Sequence, residues 1–163
     1  MPDALKLEAQ FNRANISSKD FDEARDYLRA YSEELPESLR RAVLVSAIVA
    51  YSRPFTSNDS GTAGLATGTL TGNPKGILSS EEFRLHKKIL SLRNEAVAHS
   101  DYDRKPTRFV ERIGTGFITE SKPFDVLSES IPVHTFLAMC TKMMRHCVST
   151  LHSLSRDLPP KGG

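Results

Sequence analysis

The sequence predicts an all-α protein. Three stretches of the chain repeat apolar residues at helical spacing, and the segments between them are rich in turn-forming residues. A chain of 163 residues is long enough for one domain with its own hydrophobic core, which we place over residues 1–158, with a short tail over 159–163. The formal net charge of +2 argues against a protein held on nucleic acid by bulk charge alone.

The cysteine content and hydropathy argue against a secreted or membrane protein. Met1-Pro2-Asp3 opens a polar segment that lacks the basic start and apolar run of a signal peptide. There are two cysteines, too few for a disulfide framework. The longest apolar stretch, 42–50, is far shorter than the roughly 20 residues of a membrane span. We therefore expect a cytoplasmic protein with no membrane partner.

The first third of the chain predicts two helices. The first begins near Asp20, because Asp20-Phe21-Asp22-Glu23 places carboxylates where a helix start favours them, and apolar residues then recur to Tyr31. Pro36 ends this helix and can open the next, which runs to about Ser52. Residues 42–50 are apolar on all sides of that second helix, which predicts a central position in a bundle.

Residues 54–78 predict a long flexible loop rich in Gly and Thr. Such segments inside compact domains are typically mobile or form functional lids. Of the nine glycines, those in or beside this loop are Gly61, Gly64, Gly68, Gly72 and Gly76. The segment 72–76 lacks the Gly-Lys-Ser/Thr ending of a phosphate-binding loop, and no strand is predicted before it.

A third helix is predicted from Ser79 to about His99. Ser79 and Glu82 have the spacing of a capping box, just ahead of an apolar-periodic run that opens at Phe83. Residues 106–124 then predict a short β-hairpin around Gly114-Thr115-Gly116.

A last helix is predicted over 130–156, with an apolar seam along one side. Cys140 and Cys147 lie on that seam and are expected to be small core residues. The remaining seam residues are Val133, Leu137, Met144, Leu151, Leu154 and Leu158.

Two polar residues interrupt the apolar side of the third helix. His86 and Arg93 are seven positions apart and therefore stack on one face. A buried arginine must be paired, because an unpaired buried charge is prohibitively costly. One interpretation is structural: a carboxylate of the acidic first third holds Arg93, and His86 is a satisfied core histidine. The other is a polar site in a groove or a subunit interface.

We expect no metal ion and no cofactor. His134, Cys140, His146 and His152 recur every six residues, which spreads them around a helix instead of gathering them on one face. No Cys-x-x-Cys or His-Glu-x-x-His pair is present.

The segment Arg93-Asn94-Glu95-Ala96-Val97-Ala98-His99 resembles the motif of the HEPN superfamily, in which Arg and usually a polar residue precede His by a short gap. The flanking Leu92, Ser100 and Asp101 strengthen the resemblance. It implies a helical bundle that dimerises so that two motifs line one cleft. It also implies a metal-independent endoribonuclease of toxin–antitoxin or phage-defence type, with RNA as substrate and an antitoxin protein as a further partner. A non-catalytic HEPN-like interaction or nucleotide-binding module is the alternative.

The resemblance implies roles for three residues. His99 would act as general acid or base, Arg93 would stabilise charge on the phosphorane, and Asn94 would bind a phosphate oxygen or orient His99. His86, Lys87 and Asp101 are candidates for binding RNA or supporting the site.

The distribution of charge along the chain fits an RNA-binding site at this motif. Residues 84–112 hold eight basic and four acidic side chains, a net +4, whereas residues 1–37 hold five basic and nine acidic ones, a net −4. The acidic segment could instead neutralise the basic one in the folded protein.

Overall fold

The computed structural model describes residues 2–56, 73–97, 107–121 and 125–158, and it is predominantly helical. The helices within these described residues are α1 (Pro2–Ala30), α2 (Glu37–Ser52), α3 (Pro74–Ile77), α4 (Ser80–Val97) and α5 (Val133–Asp157). Two 3₁₀ turns, Arg53–Phe55 and Val126–Glu129, follow α2 and precede α5. Two antiparallel strands, β1 (Thr107–Ile113) and β2 (Gly116–Ser121), form the predicted hairpin.

The first helix begins much earlier than the predicted start near Asp20, because α1 is continuous from Pro2 to Ala30. Between Pro2 and Asp20, the core-facing side of α1 carries Arg13 and Ser17, which are both buried, beside Ala14. Polar and small residues on the buried side interrupt the apolar repeat. The first half of the helix could therefore not be predicted from the spacing of apolar residues. The carboxylates of Asp20 and Glu23 lie in mid-helix and bind Arg53 instead of marking a helix start.

The predicted starts of α2 and α4 are confirmed. Pro36 is the N-cap of α2, and Glu37 supplies an acidic first turn. At α4, Ser79 Oγ accepts from the backbone N–H of Glu82 (3.2 Å), and Glu82 Oε2 accepts from that of Ser79 (2.7 Å). These two bonds are the predicted capping box.

The central position predicted for α2 holds from Leu44 onwards. Leu44, Ala47, Ile48 and Tyr51 are buried, whereas Leu39 in the first turn is 51% exposed. α2 packs on α1 and α4 and on the second 3₁₀ turn.

The helices form a bundle in which α4 and α5 are antiparallel. Glu82, near the start of α4, binds Lys142 in the middle of α5, whereas Lys88, farther along α4, binds Glu129 just before α5. α1 and α5 form the most extensive helix–helix interface and are also antiparallel, since Arg25 contacts Met144 while Leu28 lies near Leu137.

One hydrophobic core joins α1, α2, α4 and α5. Tyr51 lies at its centre, with ring centroids 5.4 Å from Phe21 and 5.3 Å from Phe136. Other fully buried core residues are Ile48, Ile89, Met139, Met143, Cys140 and Cys147.

The buried side of α5 is broader than the predicted seam. Cys140 and Cys147 are buried as expected, but Phe136, Met139 and Met143 are buried too, while Val133, Leu137 and Met144 are only partly buried. A helix that packs on several neighbours buries a wide face, whereas a narrow seam is typical of a two-helix coiled coil.

The predicted hairpin turns at Gly114. This residue has a φ of +59°, a left-handed conformation that glycine adopts without strain. The register pairs Phe109 with Thr119 and Ile113 with Gly116, with an irregularity between Phe109 and Glu111.

Only the ends of the predicted loop over 54–78 are described. The first 3₁₀ turn occupies its start, and α3 lies near its end, where Asn73 caps the backbone N–H of Lys75. Residues 57–72 and the predicted tail over 159–163 lie outside the described residues. None of the described helices is long and apolar enough to cross a bilayer.

Candidate functional site

The candidate site lies along α4, and contacts at both ends of its first half fix this helix. Glu82 accepts a hydrogen bond from Lys142 Nζ (2.8 Å), which ties the first turn of α4 to α5. Burial raises the pKa of Glu82, but the bonds from Lys142 and Ser79 outweigh it and lower the pKa below the usual value. Lys88 binds the Glu129 carboxylate (3.2 Å) and so ties the middle of α4 to the second 3₁₀ turn.

His86 lies in the core and is 5% exposed. Its Nδ1 and the Tyr51 hydroxyl share a hydrogen bond of 2.9 Å. The rings of Phe55 and Phe83 pack against the imidazole at centroid distances of 4.7 and 5.7 Å. Burial lowers the pKa of His86 to about 4, so the ring is neutral at neutral pH.

This environment agrees with the structural interpretation of His86 as a satisfied core histidine. A buried ring of this kind is not in a position to contact RNA directly. The role of His86 is structural, because its hydrogen bond with Tyr51 links α4 to the end of α2.

Arg93 and Asn94 lie near the end of α4. Arg93 is partly buried and Asn94 is exposed. The guanidinium Nη1 of Arg93 donates a hydrogen bond to Asn94 Oδ1 (3.2 Å). Arg93 and Asn94 therefore contact each other through their side chains on an accessible part of the helix.

The structural interpretation of Arg93 requires a carboxylate of the first third, and six of the carboxylates described there bind other arginines. The pairs are Asp22 with Arg25, Asp26 with Arg29, Glu33 with Arg40, Glu37 with Arg41, and Asp20 and Glu23 with Arg53. These six acidic side chains compensate arginines of α1, α2 and the first 3₁₀ turn. In the described part of the chain, none of them pairs with a basic side chain of α4.

The remaining candidate residues are Lys87, His99 and Asp101. Lys87 is exposed, and its Nζ lies 5.4 Å from the Phe83 ring centroid, in cation–π geometry. His99 and Asp101 lie outside the described residues, because the described part of α4 ends at Val97.

Among the described residues, no group of three or more His, Cys, Asp or Glu side chains is arranged to hold a metal ion. Burial raises the pKa of the Cys147 thiol to about 12 and that of Cys140 well above its usual value. Both side chains are therefore neutral thiols packed in the core, as the sequence predicts for them.

The structure also shows a polar contact that the sequence did not suggest. Arg13 is 5% exposed, and its Nη2 donates to the backbone carbonyls of Arg53 (3.2 Å), Pro54 (2.7 Å) and Thr56 (3.4 Å). This buried cation holds the chain just after α2. Nothing in the spacing of the sequence pairs Arg13 with residues 40 positions away, so no local signal could have found it.

Comparison with known proteins identifies no matching family model, no similar curated protein and no similar solved structure. The function must therefore be inferred from this chain's own residues.

Proposed function

We propose that this protein is a HEPN-like endoribonuclease that cleaves RNA without a metal ion, as an effector of toxin or phage-defence type. One observation carries the proposal. Arg93 and Asn94 form a hydrogen-bonded pair near the accessible end of α4, five or six positions before His99, in a predominantly helical chain. Arginine and imidazole are residue types that phosphodiester cleavage by acid–base catalysis uses to stabilise charge and to transfer a proton, and their order along the chain is that of the motif which this segment resembles.

The proposed reaction is an internal transesterification. The RNA 2′-oxygen attacks the adjacent phosphorus and loses its proton, the bond from phosphorus to the 5′-oxygen breaks, and that oxygen takes up a proton. The products are a 2′,3′-cyclic phosphate and a 5′-hydroxyl end. DNA lacks the 2′-hydroxyl and is not a substrate.

Each motif residue has a distinct role in this reaction. His99 transfers a proton, because imidazole titrates near neutral pH. Arg93 stabilises the charge that develops on the phosphorane oxygens through its planar guanidinium. Asn94 accepts from that guanidinium through its Oδ1, which orients the arginine and leaves the amide N–H groups as donors for a phosphate oxygen.

Two further features support the proposal. First, six of the nine acidic side chains of residues 1–37 bind arginines of α1, α2 and the first 3₁₀ turn, and in the described part of the chain none of these six pairs with a basic side chain of α4. Second, a small basic site accords with an overall charge of only +2. We propose that the active form is a homodimer with two motifs in one cleft, and that an antitoxin protein controls it in the cell.

The experiment is an RNA-cleavage assay with EDTA present. The variants are Arg93→Lys, Asn94→Ala and His99→Ala, and the matched control is Arg156→Lys, which changes an exposed arginine at the far end of α5. We expect cyclic phosphate ends from the wild type and from Arg156→Lys. Arg93→Lys and His99→Ala are expected to lose about 10²-fold or more in rate. A wild type that is inactive on a broad RNA panel, or equal activity in all variants, would refute the proposal.

The alternative function is a non-catalytic HEPN-like module that binds a nucleotide or a protein. The observation that favours it is the bond between Arg93 and Asn94, since two polar side chains that satisfy each other can also serve as a brace at an interface. This alternative predicts RNA or nucleotide binding that Arg93→Lys weakens, with no cyclic phosphate product from the wild type.

A further inference from the structure

A cavity of about 500 Å³ lies between the C-terminal end of α1 and the N-terminal end of α5. Its apolar lining comes from Leu28, Ile131, Val133 and Leu137. Small-molecule sites in proteins have volumes of about 300–1,000 Å³ and combine apolar walls with a few polar groups. The volume and composition of this cavity match that description.

The walls of the cavity are held in place by the core. Leu28 is 2% exposed, and Ile131, Val133 and Leu137 pack against the buried core residues. Tyr31 also packs on the core, and its hydroxyl donates to Glu33 (2.9 Å). A ligand would therefore enter a preformed site and would not have to order its walls.

The polar groups at the rim favour an anion. Glu33 lines the cavity, but Arg40 Nη1 donates to it (2.6 Å), so its charge is already compensated. Hydrogen bonds from Tyr31 and Arg40 lower the pKa of Glu33. Arg29 pairs with Asp26 (3.1 Å), and both side chains are more than half exposed. Such surface pairs contribute little, so the Arg29 guanidinium can turn to a ligand at small cost.

His134 also lines the cavity. It is exposed on the first turn of α5, and a ring N–H of His134 can act as a hydrogen-bond donor. We propose that this cavity binds a small organic carboxylate with an aliphatic chain. The chain lies on the apolar walls, and the carboxylate accepts from Arg29 and His134. This site is independent of the proposed ribonuclease activity.

The test is a titration of the ¹⁵N-labelled full chain, followed by ¹H–¹⁵N spectra. Octanoate is the probe, and 1-octanol is the uncharged control of similar shape. We expect saturable shifts from octanoate confined to residues 28–33 and 131–137, with weaker binding of octanol at the same residues.

Three variants at exposed positions separate the contribution of the ligand's carboxylate to binding from the contribution of its apolar chain. Arg29→Gln and His134→Glu are each expected to weaken octanoate binding by at least about threefold and to leave octanol binding unchanged. Arg156→Gln, at the other end of α5, is expected to change neither. The proposal is overturned if octanoate gives no saturable shift at these residues, if octanol binds as tightly as octanoate, or if Arg29→Gln and Arg156→Gln behave alike.

Discussion

Replacing Arg13 by Met is expected to destabilise the whole protein, although Arg13 is far in sequence from everything it binds. The substitution keeps the length of the side chain and removes its donors. The backbone carbonyl of Pro54 then loses a buried hydrogen bond of 2.7 Å, and those of Arg53 and Thr56 lose longer ones that are partly exposed.

The size of the effect can be worked out from these contacts. A hydrogen bond from a charged donor contributes about 1.5–3 kcal/mol, and the two longer bonds together add less than a second one. Relief of the buried charge offsets part of this, since the Arg13 Nε is buried without a partner among the described residues. We therefore expect the free energy of unfolding to fall by about 2–3 kcal/mol, and Tm to fall by roughly 4–12 °C for a domain of this size.

The assay is unfolding by urea and by heat, followed by circular dichroism. Arg29→Met on the same helix is the matched control, because its side chain is 53% exposed and forms only a surface pair. It is expected to change stability by less than about 0.5 kcal/mol. Equal stability of Arg13→Met and Arg29→Met would show that the contacts of Arg13 with the carbonyls after α2 do not stabilise the fold.

Two further predictions concern titratable groups of the core. Because the folded-state pKa of His86 is about 4 and the ordinary value is 6.5, the unfolded chain binds the proton more tightly. Stability should therefore fall by up to about 3 kcal/mol as the pH drops from 6.5 to 4, and His86→Gln should flatten this part of the urea-unfolding profile. The thiols of Cys140 and Cys147 are buried and have raised pKa values, so the native protein should react with a thiol reagent at pH 8 far more slowly than the urea-unfolded protein. Rapid labelling of native protein, with circular dichroism unchanged, would contradict their burial.

Local signals of the sequence predicted the parts of this fold that short-range contacts determine. The capping box at Ser79 and Glu82 and the turn at Gly114 each depend on residues within a few positions of one another, and both are present. The first half of α1 was missed because Arg13 and Ser17 occupy its buried side, where periodicity requires apolar residues.

In the candidate site too, features that depend on nearby residues could be predicted from the sequence, and features that depend on distant residues could not. Its helix could be predicted from spacing, since it depends on the apolar repeat of α4. The role of His86 could not, because the choice between a core residue and a ligand-binding one depends on Tyr51, which belongs to another helix. A polar residue on the apolar face of a helix indicates that the side chain has a hydrogen-bonding partner, but the sequence does not identify that partner.

The pairing of α1 with α5 has a consequence for how the chain is made. Synthesis on the ribosome is vectorial, and α5 is the last of the described helices to emerge. Until then, Phe21, Ala24 and Leu28 lack the helix that forms the largest interface with α1. Closing so distant a contact is entropically costly and slows folding. Until α5 has been made, the apolar side chains of α1 that it covers stay accessible, and transiently exposed apolar surface of this kind promotes aggregation and chaperone binding.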